Sequence, residues 1–420
     1  MGTETFVSDR PFVDEPPINK SGAPKRAVDL PLLVVVIALV VFGLIMMFSA
    51  SWDYSLTEYG SPMYMFEHQL GWLAIGILAA LLLSRFDYHH LRKLVVPLMG
   101  LTIVLLVAVL LVNEILLGAR RYLFEGSFQP SELAKVITIL YLAVWLYAKR
   151  QFIRDITFGV IPLSVILGVI GGLIYQQPDL STAAMVLMLG GLLFFLAGGD
   201  LKQIAILLVI AIVVGWIVVR VNPTGHERVA AFIAGFKDPT QASYHVQRSF
   251  EAIVNGGWFG VGIGRGQSKL TGLPVPPTDS IFAVIVEELG LLGAVFLIVL
   301  YALLIWRGFV IARRAPDMLG TLIASGLVVS IGIQAAINMS VMVGLIPFSG
   351  DALPFVSAGG SNLIVSLASI GILMNISRQK GETTEMTETK MSDEEWRTYG
   401  ATLDLRGWNR RRRVSRSRRS

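Results

Sequence analysis

The chain has 420 residues, of which 54% are hydrophobic and 15% are charged, with a formal net charge of +5 and no cysteine. Because roughly a quarter of the residues in soluble domains are charged, this composition excludes an ordinary soluble enzyme and indicates a membrane protein. The absence of cysteine also excludes disulfide bonds, thiolate metal sites and thiol catalysis.

Long apolar runs recur along the whole chain. A bilayer core about 30 Å thick requires about 20 apolar residues for each helical span. Ten runs meet this requirement, near residues 30–50, 67–84, 94–113, 132–148, 157–175, 180–198, 201–220, 281–306, 318–343 and 359–377. The first run follows 29 mostly polar residues and is as long as a full span, unlike a secretory signal. The sequence therefore predicts an all-α polytopic membrane protein with about ten transmembrane helices.

The distribution of basic residues predicts the orientation. Ten spans place both chain ends on one side of the membrane, and the short loops on that side hold Arg85, Arg92, Lys93, Lys149, Arg150, Arg154, Lys202, Arg307, Arg313 and Arg314. The short loops on the other side hold only Arg120 and Arg121. The positive-inside rule then places both termini in the cytoplasm and predicts a large extracytoplasmic segment, residues 221–280, between spans seven and eight.

The two ends of the chain differ from the membrane domain, residues 30–378. Residues 1–29 and 379–420 are poor in large apolar residues, so we expect cytoplasmic tails that bury no core. The second tail ends in "NRRRRVSRSRRS". This cluster fits a solvated tail attracted to anionic lipid, or a docking site for a cytoplasmic partner.

The loop between spans three and four contains the first candidate site residues. In "GARRYLFEGSFQPSELAK", Arg120 and Arg121 violate the charge rule, and an extracytoplasmic cation pair is well suited to bind phosphate. Glu132 and Lys135 lie three apart on one helical face, after Ser131, which is expected to cap the helix. The alternative is a structural ion pair near the membrane surface.

Two further stretches carry polar residues. Asp179 in "YQQPDLSTAAM" follows a proline between two spans and is either a helix cap or a site residue. A glycine-rich stretch with Arg265 and Lys269 follows an interfacial helix, predicted from the spacing of Val246, Phe250, Ile253 and Val254. Its glycines either allow a ligand to approach the backbone or form a flexible connector.

The stretch "LPVPPTDSIFAVIVEELG" places acids where a span begins. The prolines end any preceding helix, and Thr278 or Asp279 is expected to cap the next one. Glu287 and Glu288 follow within the apolar run, where an acid costs about 2.5 to 3.5 kcal/mol and therefore faces the protein interior or a wet cavity. The alternative is that both glutamates pair with buried donors.

Together, "GARRYL…QPSELAK", "QPDLSTA", "GGWFGVGIGRGQSKL…LPVPPTDSIFAVIVEELG" and "IPFSGDALPFVSAGGSNL…IGILMNISR" resemble the successive motifs of the SEDS proteins, the RodA and FtsW type of peptidoglycan polymerase. The resemblance covers residues 30–378 and is greater for the FtsW branch than for RodA. It implies a ten-span glycosyltransferase that polymerises lipid II at the outer face of the bacterial cytoplasmic membrane, in septal synthesis. It assigns Asp279 as the catalytic base.

The resemblance also implies substrate contacts and partners. The residues expected to contact substrate are Arg120, Arg121, Glu132, Lys135, Asp179, Lys269 and Glu288. A divalent cation, Mg²⁺ or Mn²⁺, is a further expectation, with no organic cofactor. Expected partners are a class B penicillin-binding protein, which is a transpeptidase, and other membrane proteins of the division machinery, without nucleic acid.

Some positions depart from the family pattern, and other functions stay open. Pro277, Ser280, Ser349 and Ala358 replace residues expected in the motifs, but Asp279 is retained. A lipid II flippase and a non-catalytic scaffold of the division machinery are the alternatives. A flippase needs polar groups that both membrane faces can reach, whereas the predicted ones cluster toward the outer half, which favours catalysis.

Overall fold

Helices form almost all of the regular structure in the computed structural model, which describes residues 28–111 and 128–379. The helices are α1 Leu30–Tyr59, α2 Tyr64–Arg85, α3 Leu91–Leu111, α4 Pro130–Ala148, α5 Ile161–Gln176, α6 Leu180–Leu196, α7 Leu201–Val221, α8 Pro223–Lys237, α9 Tyr244–Gly256, α10 Ile281–Arg313, α11 Met318–Met342 and α12 Gly360–Arg378. Short helical turns at Tyr88–His90, Ile156–Val160 and Pro239–Gln241 join some of them.

The predicted spans match helices α1 to α7 and α10 to α12. Within the described ranges, nine helices are long and apolar enough to cross a membrane, and α6, with 17 residues, is a shorter apolar helix. At 1.5 Å per residue, α6 is about 25 Å long and still covers most of a bilayer core. The polytopic all-helical fold is confirmed, whereas the extracytoplasmic location of residues 221–280 stays a prediction.

Helices α4, α11 and α12 form the centre of the bundle. In each of these helices, at least 67% of the residues in the most apolar 18-residue segment are buried. In the corresponding segment of α7, no residue is buried. Close packing in the centre depends on small residues: a side chain at Gly371 of α12 would lie 2.5 Å from the carbonyl oxygen of Ala80 in α2. Glycine at this position lets the two backbones approach.

One end of the bundle holds both ends of the described chain. Asp29 pairs with Arg307 at 2.6 Å, and Gln379 donates to Asp87 at 2.9 Å. Tyr88 and His89 both contact Asp317 at 2.9 Å. We call this the terminal end and the other the site end.

The helix starts differ from two predicted caps. Helix α4 begins at Pro130, so Ser131 lies inside its first turn, because the fixed φ of proline suits the first helical position. Helix α10 begins at Ile281 after Ser280, not after Thr278 or Asp279. The Ser280 hydroxyl donates to the Pro274 carbonyl at 2.8 Å and closes the proline-rich turn that delays the helix.

The predicted amphipathic helix is present as α9, with one exception among its apolar residues, whereas its location at the membrane interface stays a prediction. Val246 is buried, whereas Val254 is 78% exposed. Since residues advance about 100° around a helix, Val254 lies about 80° from Val246 and reaches the edge of the buried face. The small side chains of Ser249 and Ala252 occupy that face.

Candidate active site

The first polar cluster lies at the site end, where α4, α11 and α12 meet. Lys135 Nζ lies 2.8 Å from Glu132 Oε1 and 2.9 Å from Gln334 Oε1. Asn362 Nδ2 donates to the other Glu132 oxygen at 3.2 Å. The Lys135 side chain is only 2% exposed, so this predicted ion pair is enclosed by protein.

Asp179 caps helix α6 and also connects it to the start of α4. Its Oδ1 accepts from the Thr182 backbone N–H at 3.3 Å, at the start of α6. Its Oδ2 accepts from Gln129 Nε2 and Ser131 Oγ, each at 3.2 Å. The helix cap is therefore present and leaves one carboxylate oxygen for Gln129 and Ser131, whereas a role of Asp179 in the site stays a prediction.

A second acid, Asp351, lies beside Asp179. The Ser181 hydroxyl is 3.3 Å from Asp179 Oδ1 and 3.1 Å from Asp351 Oδ1, yet it has one proton to donate. Burial raises the pKa of Asp351 to about 6, and the charge of Asp179 acts in the same direction. Lys135 and the hydroxyls of Ser181 and Ser349 partly oppose this shift.

Asp279 lies in the turn before α10 and is half-buried. Its backbone carbonyl accepts a hydrogen bond of 2.9 Å from Asn338 Nδ2. The same amide group donates to the Asp351 carbonyl at 2.7 Å. The predicted catalytic residue is thus connected through α11 to the loop that carries Asp351.

A separate cluster surrounds the glutamates of α10. Lys269 Nζ lies 2.6 Å from Glu288 Oε1, and the Glu288 carboxylate also accepts from Ser49 Oγ and the Gly264 N–H. The Glu287 carboxylate accepts from the backbone N–H groups of Gln267 and Ser268 and from the Ser268 hydroxyl. Both acids are nearly inaccessible and hold the glycine-rich stretch against α10.

The structure therefore brings together Glu132, Lys135 and Asp179, and connects them to Asp279. It places Lys269 and Glu288 in their own cluster. Arg120 and Arg121 lie outside the described residues.

The sequence motifs alone do not identify Gln334, Asn338 and Asp351 as members of this network. The spacing of Gln334 and Asn338, four residues apart in an apolar span, is a sequence signal for them. It places both side chains on one helical face, and polar residues within a span usually face the protein interior.

The part of the chain that the structure describes contains no cluster of side chains suited to bind the predicted divalent cation. Among residues 28–111 and 128–379, no group of three or more His, Asp or Glu side chains is arranged to hold a metal ion. The Asp179 carboxylate is already occupied by Gln129, Ser131 and the α6 cap. With these partners, the Asp179 carboxylate does not form a metal centre.

Comparisons with known proteins agree with this architecture. Residues 30–382 match the family model for cell cycle proteins of the FtsW, RodA and SpoVE type. A probable peptidoglycan glycosyltransferase FtsW of Trichlorobacter lovleyi is 37% identical and aligns over 83% of this chain and 93% of its own. Stage V sporulation protein E of Bacillus subtilis is 34% identical over 84% of this chain and 98% of its own.

Solved structures give the same result. A chain from a peptidoglycan synthase complex that coordinates polymerization and crosslinking has a TM-score of 0.68 and 30% identity, covering 84% of this chain and 98% of that one. The rod shape determining protein RodA of Thermus thermophilus has a TM-score of 0.62 and 28% identity at the same coverage. The chain described here belongs to the FtsW, RodA and SpoVE family of membrane proteins.

Proposed function

We propose that this protein is a peptidoglycan glycosyltransferase that polymerises lipid II into glycan strands at the outer face of the bacterial cytoplasmic membrane, during septal synthesis. Relatives that are 34% to 37% identical over most of the chain include proteins named peptidoglycan glycosyltransferase FtsW. The observation that carries the proposal is Asp279: a half-buried acid at the site end whose backbone is bonded to a buried polar network.

The proposed reaction uses Asp279 as general base. The Asp279 carboxylate takes the proton of the acceptor sugar's 4-hydroxyl, and the oxygen attacks the anomeric carbon of the donor. The bond from that carbon to the lipid pyrophosphate breaks, and the pyrophosphate leaves with the bonding electrons. A single displacement of this kind inverts the anomeric carbon.

The leaving pyrophosphate needs positive charge nearby. Arg120 and Arg121 are proposed to supply it, since guanidinium groups bind phosphate through paired hydrogen bonds. Glu132, Lys135 and Asp179 are proposed to shape the substrate site as one network. The contacts of Lys269 and Glu288 favour support of the glycine-rich stretch over direct substrate contact. The divalent cation stays a prediction.

The partners and the orientation also belong to the proposal. One structural relative comes from a peptidoglycan synthase complex that coordinates polymerization and crosslinking. We infer that this chain likewise works with a class B penicillin-binding protein and other division proteins in the membrane. Both termini are proposed to be cytoplasmic, because the basic loops lie at the terminal end.

Asp279→Asn tests the proposal, because asparagine keeps the size of the side chain but cannot accept the proton. Glycan synthesis from lipid II by the purified protein with its transpeptidase partner should fall by about 10²- to 10⁴-fold, as is typical when a general base is removed. Asp200→Asn is the matched control, because Asp200 caps α7 and asparagine also caps helices. Near-normal synthesis by Asp279→Asn would refute the assignment, and loss in both variants would indicate a general folding defect.

A further inference from the structure

Three consecutive backbone carbonyls lead into α10, and each accepts a hydrogen bond from a different partner. The Pro277 carbonyl accepts from the Ala358 N–H at 2.8 Å. The Thr278 carbonyl accepts from the Ser357 hydroxyl at 2.6 Å, and the Asp279 carbonyl from Asn338 Nδ2 at 2.9 Å. Each of the three residues that end in the proposed base is therefore fixed by a hydrogen bond to its carbonyl.

Helix α10 does not supply these bonds. Its first turn uses the Ser280 carbonyl, which accepts from Ala283 and Val284. The three preceding carbonyls lie outside the helix, and without external donors they would depend on water. The position of Asp279 is thus set by groups from other parts of the chain.

The donors are themselves fixed. The Ser357 hydroxyl, besides donating to Thr278, accepts from the Leu353 N–H at 2.8 Å. The Tyr301 hydroxyl of α10 donates to the Pro354 carbonyl in the same loop. Both residues are at most 3% exposed, so buried hydrogen bonds connect residues 353–358 to α10 and to the turn before it.

Asn338 is the donor that acts on Asp279 directly. It lies in α11, is 1% exposed, and uses its amide nitrogen for two carbonyls, those of Asp279 and Asp351. An amide has two N–H groups, so both are engaged. Gln334, one turn earlier on α11, donates to the next carbonyl of that loop, Ala352, at 3.1 Å, and accepts from Lys135.

We propose that Asn338 is a positioning residue for the glycosyl transfer: it fixes the backbone of Asp279 and thereby the place from which its carboxylate reaches the acceptor hydroxyl. The proposal rests on the proposed role of Asp279 as base. Because Asn338 is 1% exposed and its amide N–H groups are engaged by two carbonyls, the proposed role acts through Asp279 and requires no contact between Asn338 and the substrate. A displacement of about 1 Å in a catalytic group costs about 10²-fold in rate, so one backbone hydrogen bond suffices for a large effect.

The test replaces Asn338 by Ala and compares it with a matched asparagine. Asn375 in α12 is 5% exposed, donates to the Ser84 carbonyl at 3.1 Å and accepts from the Tyr88 N–H at 3.1 Å, but lies at the terminal end. Both Asn338→Ala and Asn375→Ala should lower the melting temperature of the protein in detergent. Only Asn338→Ala should lower kcat for lipid II polymerisation, by about 10- to 10²-fold, with KM changed less than about twofold.

A double mutant separates positioning from a general structural effect. If Asn338 acts through Asp279, adding Asn338→Ala to Asp279→Asn should lower the residual polymerisation no further. If Asn338→Ala does not fold, Asn338→Ser replaces it, since a hydroxyl donates one hydrogen bond and should give an intermediate loss of kcat.

The outcomes distinguish the two proposals. Full activity in Asp279→Asn overturns the proposed base, whatever Asn338 does. An inactive Asp279→Asn together with equal kcat in the Asn338 and Asn375 variants overturns only the positioning role. A rise in KM without a fall in kcat, or a further loss in the double mutant, also overturns it.

Discussion

Glu132 and Lys135 form a buried ion pair, in which each charge is compensated mainly by the other. Both side chains are at most 8% exposed, and their remaining partners are the amides of Gln334 and Asn362. Removing one member of a buried pair leaves the other charge uncompensated, which typically costs about 3 to 5 kcal/mol. The fold therefore tolerates loss of the whole pair better than loss of half.

We predict that Glu132→Gln and Lys135→Met each reduce polymerisation and thermal stability, and that the double mutant loses less than the sum. Activity from lipid II and melting temperature are the measurements. The exposed pair Arg248 and Glu251, with the same i,i+3 spacing, is the control. Glu251→Gln should change stability by less than about 1 kcal/mol, because surface pairs contribute little. Additive losses at Glu132 and Lys135 would contradict a shared role.

Asp351 gives a prediction with a defined pH dependence. Burial raises its pKa to about 6, above the ordinary value of 3.8, so the folded state binds this proton more tightly than the unfolded state. The contribution of Asp351 to the free energy of unfolding is therefore most favourable below pH 4, and it falls as the pH rises through 6. Asp351→Asn should stabilise the protein at pH 7.5, by on the order of 3 kcal/mol at 1.36 kcal/mol per pKa unit, and have little effect at pH 4.

Asp317 is the control for Asp351, because its pKa is shifted in the opposite direction. Burial of Asp317 opposes ionisation, but hydrogen bonds from His89, the Gly320 N–H and Tyr88 outweigh it and lower the Asp317 pKa. Asp317→Asn should therefore destabilise the protein at pH 7.5. Melting curves of both variants across the pH range compare the two signs, and a destabilised Asp351→Asn at pH 7.5 would show that its negative charge is needed by the fold.

At the scale of single elements, the sequence predicted the helices well, because a span of about 20 apolar residues is a strong and local signal. It did not predict how the polar residues on those helices pair. Asn338 contacts a carbonyl 59 residues away, and Ser49 contacts a carboxylate 239 residues away. Such contacts depend on how helices pack, which periodicity alone does not determine.

The interior of α10 shows a second limit of the sequence. Gly290 adopts φ 70° and ψ −170°, which breaks the helix. The carbonyls of Glu287 and Glu288 accept from Val261 and Gly262 N–H, and the N–H groups of Leu291 and Leu292 donate to the Gly257 and Trp258 carbonyls. The glycine-rich stretch thus replaces two i,i+4 hydrogen bonds that a continuous helix would make.

This break also explains why two acids are tolerated in an apolar helix. Helix α10 has 33 residues and would be about 50 Å long if straight, well beyond a bilayer core of about 30 Å. Residues 290–313, about 36 Å, are enough to cross it. Glu287 and Glu288 therefore belong to the segment before the break, where the glycine-rich stretch supplies their donors.

We predict that Gly290→Ala separates the glycine-rich stretch from α10. A Cβ atom there would lie 2.4 Å from the Gly260 nitrogen and the Trp258 oxygen, and the φ value disfavours any side chain. The cost should be about 2 kcal/mol or more, seen as a lower melting temperature and faster proteolysis between residues 257 and 272. Gly215→Ala in α7, where a Cβ atom meets nothing within 4 Å, is the control and should match the native protein. Equal stability of the two variants would contradict this role of Gly290 in holding the glycine-rich stretch against α10.

At the scale of the whole molecule, the contacts define two ends but not their sides of the membrane. Asp29 and Gln379 share the terminal end through Arg307 and Asp87. Asp279 lies where α10 begins, and Arg307 lies near the end of the same helix. A bundle-spanning helix therefore separates the proposed base from the chain ends, and the orientation decides whether Asp279 meets an extracytoplasmic acceptor.

The absence of cysteine allows this orientation to be measured without further changes to the chain. Thr271 is exposed in the segment between α7 and α10, and Gln151 is exposed between α4 and α5. We predict that a membrane-impermeant maleimide labels Thr271→Cys in sealed bacterial protoplasts, and labels Gln151→Cys only after detergent opens the membrane. The native chain should stay unlabelled in both conditions, and polymerisation by each variant should confirm that it is folded.

The reverse labelling pattern would place the basic loops outside, against the positive-inside rule, and Asp279 on the cytoplasmic side. An acceptor strand of the cell wall could not reach a base placed there, so the proposed reaction would fail even if Asp279→Asn were inactive. Labelling of both cysteines in sealed protoplasts would mean that the reagent had crossed the membrane, which a cytoplasmic single-cysteine protein labelled in parallel detects. The predicted pattern, in contrast, places Asp279 on the side where glycan strands grow.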